Sequence, residues 1–106
     1  MTTFDDREKA FEAKFQRDQD LQFKVNARAN RLLGAWAAGL LGKSGADAEA
    51  YAKDVVLADF EKPGHEDVIE KVAKDLSAKG IDAGTIRKEW AKALAQAKQQ
   101  VMGDTN

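Results

Sequence analysis

The residues of this chain best suited to chemistry lie in two short stretches. His65, the single histidine, stands in Pro63-Gly64-His65-Glu66-Asp67, where Asp59 or Asp67 would orient its imidazole as a general base. A base needs a nucleophile to activate. No serine or cysteine motif accompanies His65, and a helix start disfavours the charged imidazolium, so it reads as an exposed residue beside Glu66 and Asp67, which complement the helix dipole. Asp59, Glu61, His65 and Glu66 have the ligand types for a divalent cation, yet neither HxxxH nor EF-hand spacing is present. Gly42-Lys43-Ser44 spells the end of a phosphate-binding loop, but the loop's first glycine falls on Ala37 and the preceding segment is helical rather than a strand. What survives is a helix start beside Lys43 with a weak attraction for an anion. No catalytic residue, metal or cofactor is expected, and the chain is not expected to be an enzyme.

The elements that must position these residues are helices. One is predicted from about Leu21 to Leu41 on the stripe Leu21, Val25, Ala29, Leu32, Trp36 and Leu40, stopped by a left-handed Gly42. Ser44, with Asp47 three residues on, opens a second, which carries Ala48, Tyr51, Ala52 and Val55 on one face with Val56, Leu57 and Phe60 beside it, and ends at Pro63-Gly64. A third buries Val68, Ile69, Val72 and Leu76, with Gly80 at C′ and Ile81 closing a Schellman motif. Asp82 caps the fourth, whose stripe is Ile86, Trp90, Ala93, Leu94, Ala97 and Val101. No segment alternates with period two, and the loops are short. The fold class expected is therefore all-α, a four-helix bundle over residues 21–106, with Trp36 and Trp90 as core partners between its first and last helices.

A different kind of helix precedes this body. Phe4, Phe11 and Phe15 are spaced by seven and four residues and form a narrow aromatic seam between dense charges of both signs, with Thr3 as N-cap and Asp6 at N3. The seam stops in Gln16-Arg17-Asp18-Gln19-Asp20, and the next stripe starts in its own phase. Residues 1–20 therefore read as a mobile amphipathic arm, disordered or transiently helical when free, whose aromatic face suits a partner's groove; the other reading folds the seam back as a fifth core element.

Charge and length bound the partners. With 106 residues, 17 basic against 18 acidic side chains, a net charge of −1 and no cysteine, the chain is one domain without disulfides and without the basic footprint of a nucleic-acid binder. The start is charged rather than apolar and no run reaches membrane-spanning length, so a soluble protein that stays where it is made is expected, with no direct membrane insertion. The most basic stretch, Lys24 to Arg31, is either a solvated helix face or a surface for an anionic partner.

Four segments carry a family resemblance: Phe4-Asp5-Asp6-Arg7-Glu8-Lys9-Ala10-Phe11-Glu12, Leu32-Leu33-Gly34-Ala35-Trp36-Ala37-Ala38, Tyr51-Ala52-Lys53-Asp54-Val55-Val56-Leu57-Ala58-Asp59-Phe60-Glu61, and Pro63-Gly64-His65-Glu66-Asp67-Val68. They resemble the zeta subunit family, the inhibitor of the alphaproteobacterial F1FO-ATP synthase. The resemblance implies a four-helix body whose N-terminal arm enters the catalytic α/β interface of F1 near the γ rotor as a helix and blocks ATP hydrolysis. It implies a monomer when free, in the cytoplasm and held at the cytoplasmic face of the inner membrane through F1. On that reading Phe4, Phe11 and Phe15 fill apolar pockets, while Asp5, Asp6, Arg7, Glu8, Lys9, Glu12, Lys14 and Arg17 pair with rim charges. The competing class is a non-enzymatic helical binding module with weak nucleotide or anion affinity.

Overall fold

A single residue separates the first helix, α1 (Thr3–Arg17), from the second, α2 (Gln19–Leu40). Asp18 leaves helical geometry (φ −107°, ψ 107°), and its carboxylate accepts the Leu21 N–H at 3.1 Å, so α2 begins two residues before the predicted Leu21 with a side-chain cap. The computed structural model describes residues 3–58 and 66–104, with side chains for 6–58 and 66–103. Among them are three more α-helices, α3 (Gly45–Ala58), α4 (Glu66–Leu76) and α5 (Ala83–Asp104), one 3₁₀ turn (Ser77–Lys79) and no strand. The chain is all-helical. Among the described residues there are five α-helices rather than four, because the N-terminal segment is itself helical. The Thr3 cap and the Pro63-Gly64 stop lie outside the described side chains and residues.

The turns follow the glycines, with one exchange of motif. At the end of α2 the Gly42 N–H donates to Gly39 O (3.1 Å) and the Lys43 N–H to Ala38 O (2.9 Å), with Gly42 at φ 76°: the paired bonds of a Schellman cap. At Gly80 that motif was expected. Only its shorter bond forms there, the Gly80 N–H donating to Ser77 O (3.1 Å) with Gly80 at the left-handed φ of 74°, while the chain tightens into the 3₁₀ turn and the Ile81 N–H makes no bond to Leu76 O among the described residues. Asp82 caps α5 as predicted, its Oδ1 accepting the Thr85 N–H at 2.8 Å; this bond holds the carboxyl below the usual carboxylate range. Ser44 contributes its backbone carbonyl, which accepts the Ala48 N–H at 3.4 Å, and α3 starts one residue later at Gly45.

One core runs through the molecule. Helix α2 lies at its centre, packed on α3 and α5, with α4 closing against α3 and α5. Because α2 has neighbours on two sides, it buries two adjacent rows: Leu21, Val25, Ala29, Leu33 and Ala37, and beside them Asn30, Gly34 and Ala38. This corrects the expected stripe beyond Ala29. Leu32 and Trp36 pack against the core only partly buried, at its edge, and Leu40 is exposed. Trp90 is buried as expected. Helices α2 and α3 approach closely at Gly34, where a β-carbon would stand 2.8 Å from the Ala52 Cα. Beside it the Tyr51 hydroxyl donates to Asp75 Oδ2 (2.8 Å), which also accepts from Lys71 (3.1 Å). Burial, then the Asp75 carboxylate, push that hydroxyl well above the ordinary tyrosine range. Across α4 and α5 an exposed ion pair joins Arg87 and Glu66.

Candidate functional site: the N-terminal helix and its seat

The charged-aromatic sequence of residues 3–17 makes α1 a helix with one apolar edge too narrow to hold a fold alone. That edge finds a seat on α5. Phe11 is buried in the shared core and Phe15 packs against it half-buried, the two rings stacked with centroids 6.4 Å apart and an interplanar angle of 20°. Lys98 of α5 joins both kinds of contact: its Nζ lies 4.6 Å from the Phe15 ring centroid and 3.1 Å from Glu12 Oε1. One turn away, Gln99 Nε2 donates to Glu8 Oε1 at 3.0 Å. Between the two helices an open groove of about 600 Å³ is lined by Glu8, Phe11 and Glu12 on one side and by Leu94, Lys98 and Met102 on the other. The second possibility raised by the sequence, a seam folded onto the body, is therefore the arrangement in this structure.

The joint at Asp18 sets how α1 is attached. The Asp18 N–H donates to Lys14 O (2.9 Å), ending α1, and Asp18 O accepts the Gln22 N–H (3.0 Å), starting α2, so one residue belongs to both hydrogen-bond ladders. Gln22 Nε2 bridges back to Phe15 O (2.8 Å) and Gln16 O (3.2 Å), satisfying carbonyls at the end of α1. Neither Asp18 nor Gln22 stood out in the sequence. The available signal was an aspartate three residues before Leu21, the first residue of the aliphatic stripe.

The predicted binding residues divide by face. Glu8, Phe11, Glu12 and Phe15 turn toward α5, Lys9 is exposed at the edge of the same groove, and Asp6, Arg7, Lys14 and Arg17 are exposed away from it. The side chains of Phe4 and Asp5 lie outside the described residues. So do His65, Asp59 and Glu61, while Glu66 is engaged by Arg87. Among the described residues no group of three or more histidine, cysteine, aspartate or glutamate side chains is placed to hold a metal ion. Lys43 and Ser44 sit exposed in the turn after helix α2. No helix of the described residues is long and apolar enough to cross a membrane.

These features define a class: a small all-helical protein that carries, on the outside of its core, a separate amphipathic helix joined through one capped residue. Comparison with known proteins narrows the class. The family model for ATPase inhibitor subunit zeta matches residues 1–100, and the chain belongs to that family. A solved structure determined by solution NMR is similar, with 49% sequence identity and a TM-score of 0.72, covering 79% of this chain and 98% of its own. No curated protein matches.

Proposed function

We propose that this chain inhibits ATP hydrolysis by the F1 sector of ATP synthase, with α1 leaving its seat on α5 and entering the catalytic α/β interface beside the γ subunit as a helix. Phe11 and Phe15, with Phe4 ahead of them, are the apolar anchors in that interface. Asp5, Asp6, Arg7, Lys9, Lys14 and Arg17 set register against its rim, and Glu8 and Glu12 exchange Gln99 and Lys98 for partners there. The helices from α2 onward stay outside as a stop. The free chain is a monomer and acts on the cytoplasmic face of the inner membrane.

The observation that carries this reading is the attachment of α1. An already helical segment, joined through one capped residue and seated by a narrow apolar edge flanked by the partly exposed Glu8–Gln99 and Glu12–Lys98 contacts, needs little ordering on transfer to another groove, so its binding costs less conformational entropy than folding from a disordered chain. Membership of the inhibitor family supports the target. The test is titration of F1-ATPase hydrolysis with wild type and with Ala10→Pro. Ala10 is exposed in mid-α1, and proline there removes a helical hydrogen bond at a cost of about 3 kcal/mol without touching the core. The variant is expected to lose inhibition while its remaining helices unfold cooperatively; equal inhibition by both chains sinks the helical-insertion reading.

A further inference from the structure

The geometry points to Asp18 as a two-position joint: bent, it seats α1 on α5, and straightened, it fuses α1 and α2 into one continuous helix from Thr3 to Leu40, the form in which α1 enters its target. The inference rests on the function proposed above and deepens it, since it specifies the path of α1 as well as its destination. The two hydrogen-bond ladders already meet at this residue. The Asp18 N–H to Lys14 O and the Gln22 N–H to Asp18 O are both the i to i−4 bonds of an uninterrupted helix. Between them three rungs are absent, those that the Gln19, Asp20 and Leu21 N–H groups would make to Phe15, Gln16 and Arg17 O. Side chains fill the gap: Asp18 Oδ1 accepts the Leu21 N–H, and Gln22 Nε2 donates to Phe15 O and Gln16 O. Three side-chain bonds thus stand in for three backbone bonds.

Straightening asks one residue to move. Asp18 passes from φ −107°, ψ 107° to helical values, chiefly by a rotation of about 150° in ψ. The sequence does not oppose it: the first glycine of the chain is Gly34 and its one proline is Pro63, both well beyond the joint. At the joint the two forms hold equal numbers of bonds, but the bent set requires two ordered side chains and the ladder requires none. What favours the bent form is the seat, with Phe11 buried and Lys98 and Gln99 holding Glu12 and Glu8. A groove that takes Phe11 and Phe15 removes that advantage, and the joint straightens. As part of one rod, the 15 residues of α1 project about 22 Å beyond Asp18. The aromatic edge then stands clear of α5, and the body stays outside the groove.

The experiment uses full-length chains and purified F1-ATPase. Gln19 is the exposed first residue of α2, and its N–H has no partner among the described residues. Proline suits that position and holds the preceding residue in the extended region that Asp18 occupies, whereas in a continuous helix its ring strikes the Phe15 carbonyl. Gln19→Pro therefore keeps the joint bent with α1 and the body intact, and is expected to raise the half-inhibitory concentration at least about tenfold; Gln19→Ala, which permits both positions, should match wild type. Asp18→Ala with Gln22→Ala removes the three side-chain bonds and should lower it about threefold. Because the chain has no cysteine, spin labels on Ala10→Cys and Ala35→Cys, both exposed, report the joint directly. A straight helix sets these Cα atoms about 37 Å apart, and any bend shortens the distance. The long distance is expected in the F1-bound wild type and in a fraction of the unbound double variant, the short one in the unbound wild type and in Gln19→Pro. Wild-type potency in Gln19→Pro, or a short distance in the F1-bound chain, overturns the joint, and insertion of α1 still stands if Ala10→Pro abolishes inhibition. If the double variant reaches the long distance but the wild type does not inhibit, the insertion reading alone fails. Short distances throughout and no inhibition overturn both.

Discussion

The Lys98 ammonium group of α5 sits 4.6 Å from the Phe15 ring centroid and 3.1 Å from a carboxylate oxygen of Glu12, so one side chain holds both the aromatic and the acidic edge of α1. Phe15 and Glu12 are also residues with which α1 is proposed to bind F1. The seat on the body and the site on the target then compete for the same face of one helix. Whatever loosens the first should favour the second.

Lys98→Ala therefore makes a better inhibitor. Removing a cation–π contact and a partly exposed ion pair should cost the docked state about 1 kcal/mol, which lowers the half-inhibitory concentration about fivefold while the docked form dominates. Faster amide exchange confined to α1 is the accompanying sign. Weaker inhibition by Lys98→Ala would show that Lys98 serves the inhibited complex rather than the free chain.

Gly34→Ala tests the core. The added methyl would lie 2.8 Å from the Ala52 Cα and 3.3 Å from the Val55 Cβ, and the first of these neighbours is backbone that cannot rotate aside. Helices α2 and α3 must separate, against a helix-propensity gain for alanine of about 1 kcal/mol. A net destabilisation of about 1–3 kcal/mol is expected, lowering the midpoint of thermal unfolding by about 5–15 °C. An unchanged midpoint would mean that the two helices adjust at no cost.

Asn30 is fully buried, and neither its Nδ2 nor its Oδ1 finds a hydrogen-bond partner among the described residues. Asn30→Leu replaces a desolvated amide with an apolar group of similar length, and a gain of about 1–2 kcal/mol in stability is expected. Calorimetry decides the sign. A loss would indicate that the amide fixes the packing of α2 rather than opposing it.

The Asp82 cap has a pH signature. Its carboxyl is held below the ordinary range chiefly by the Thr85 N–H, so the folded form binds a proton less readily than the unfolded chain. The cap's contribution is then complete above the unfolded carboxylate range and is lost as pH falls through the lower, folded value. Asp82→Ala should melt a few degrees below wild type at pH 7, with the gap closing only in the acid range. A gap that stayed constant down to full protonation would assign the effect to helix packing instead of the carboxylate.

Much of this architecture was legible from local chemistry. The left-handed glycines at 42 and 80, the Asp82 cap and the separate phase of the Phe11–Phe15 edge each depend on contacts within about four residues, and such signals are readable along the chain. The order of helices and the family followed from the same residues. Other outcomes were settled only by packing. Periodicity reports that α2 has an apolar side but not how many neighbours it meets, and two neighbours bury Asn30 and Gly34 while leaving Leu40 outside. The aromatic edge of α1 is equally able to face the body or a partner, and Lys98 and Gln99, more than eighty residues away, bring it onto α5.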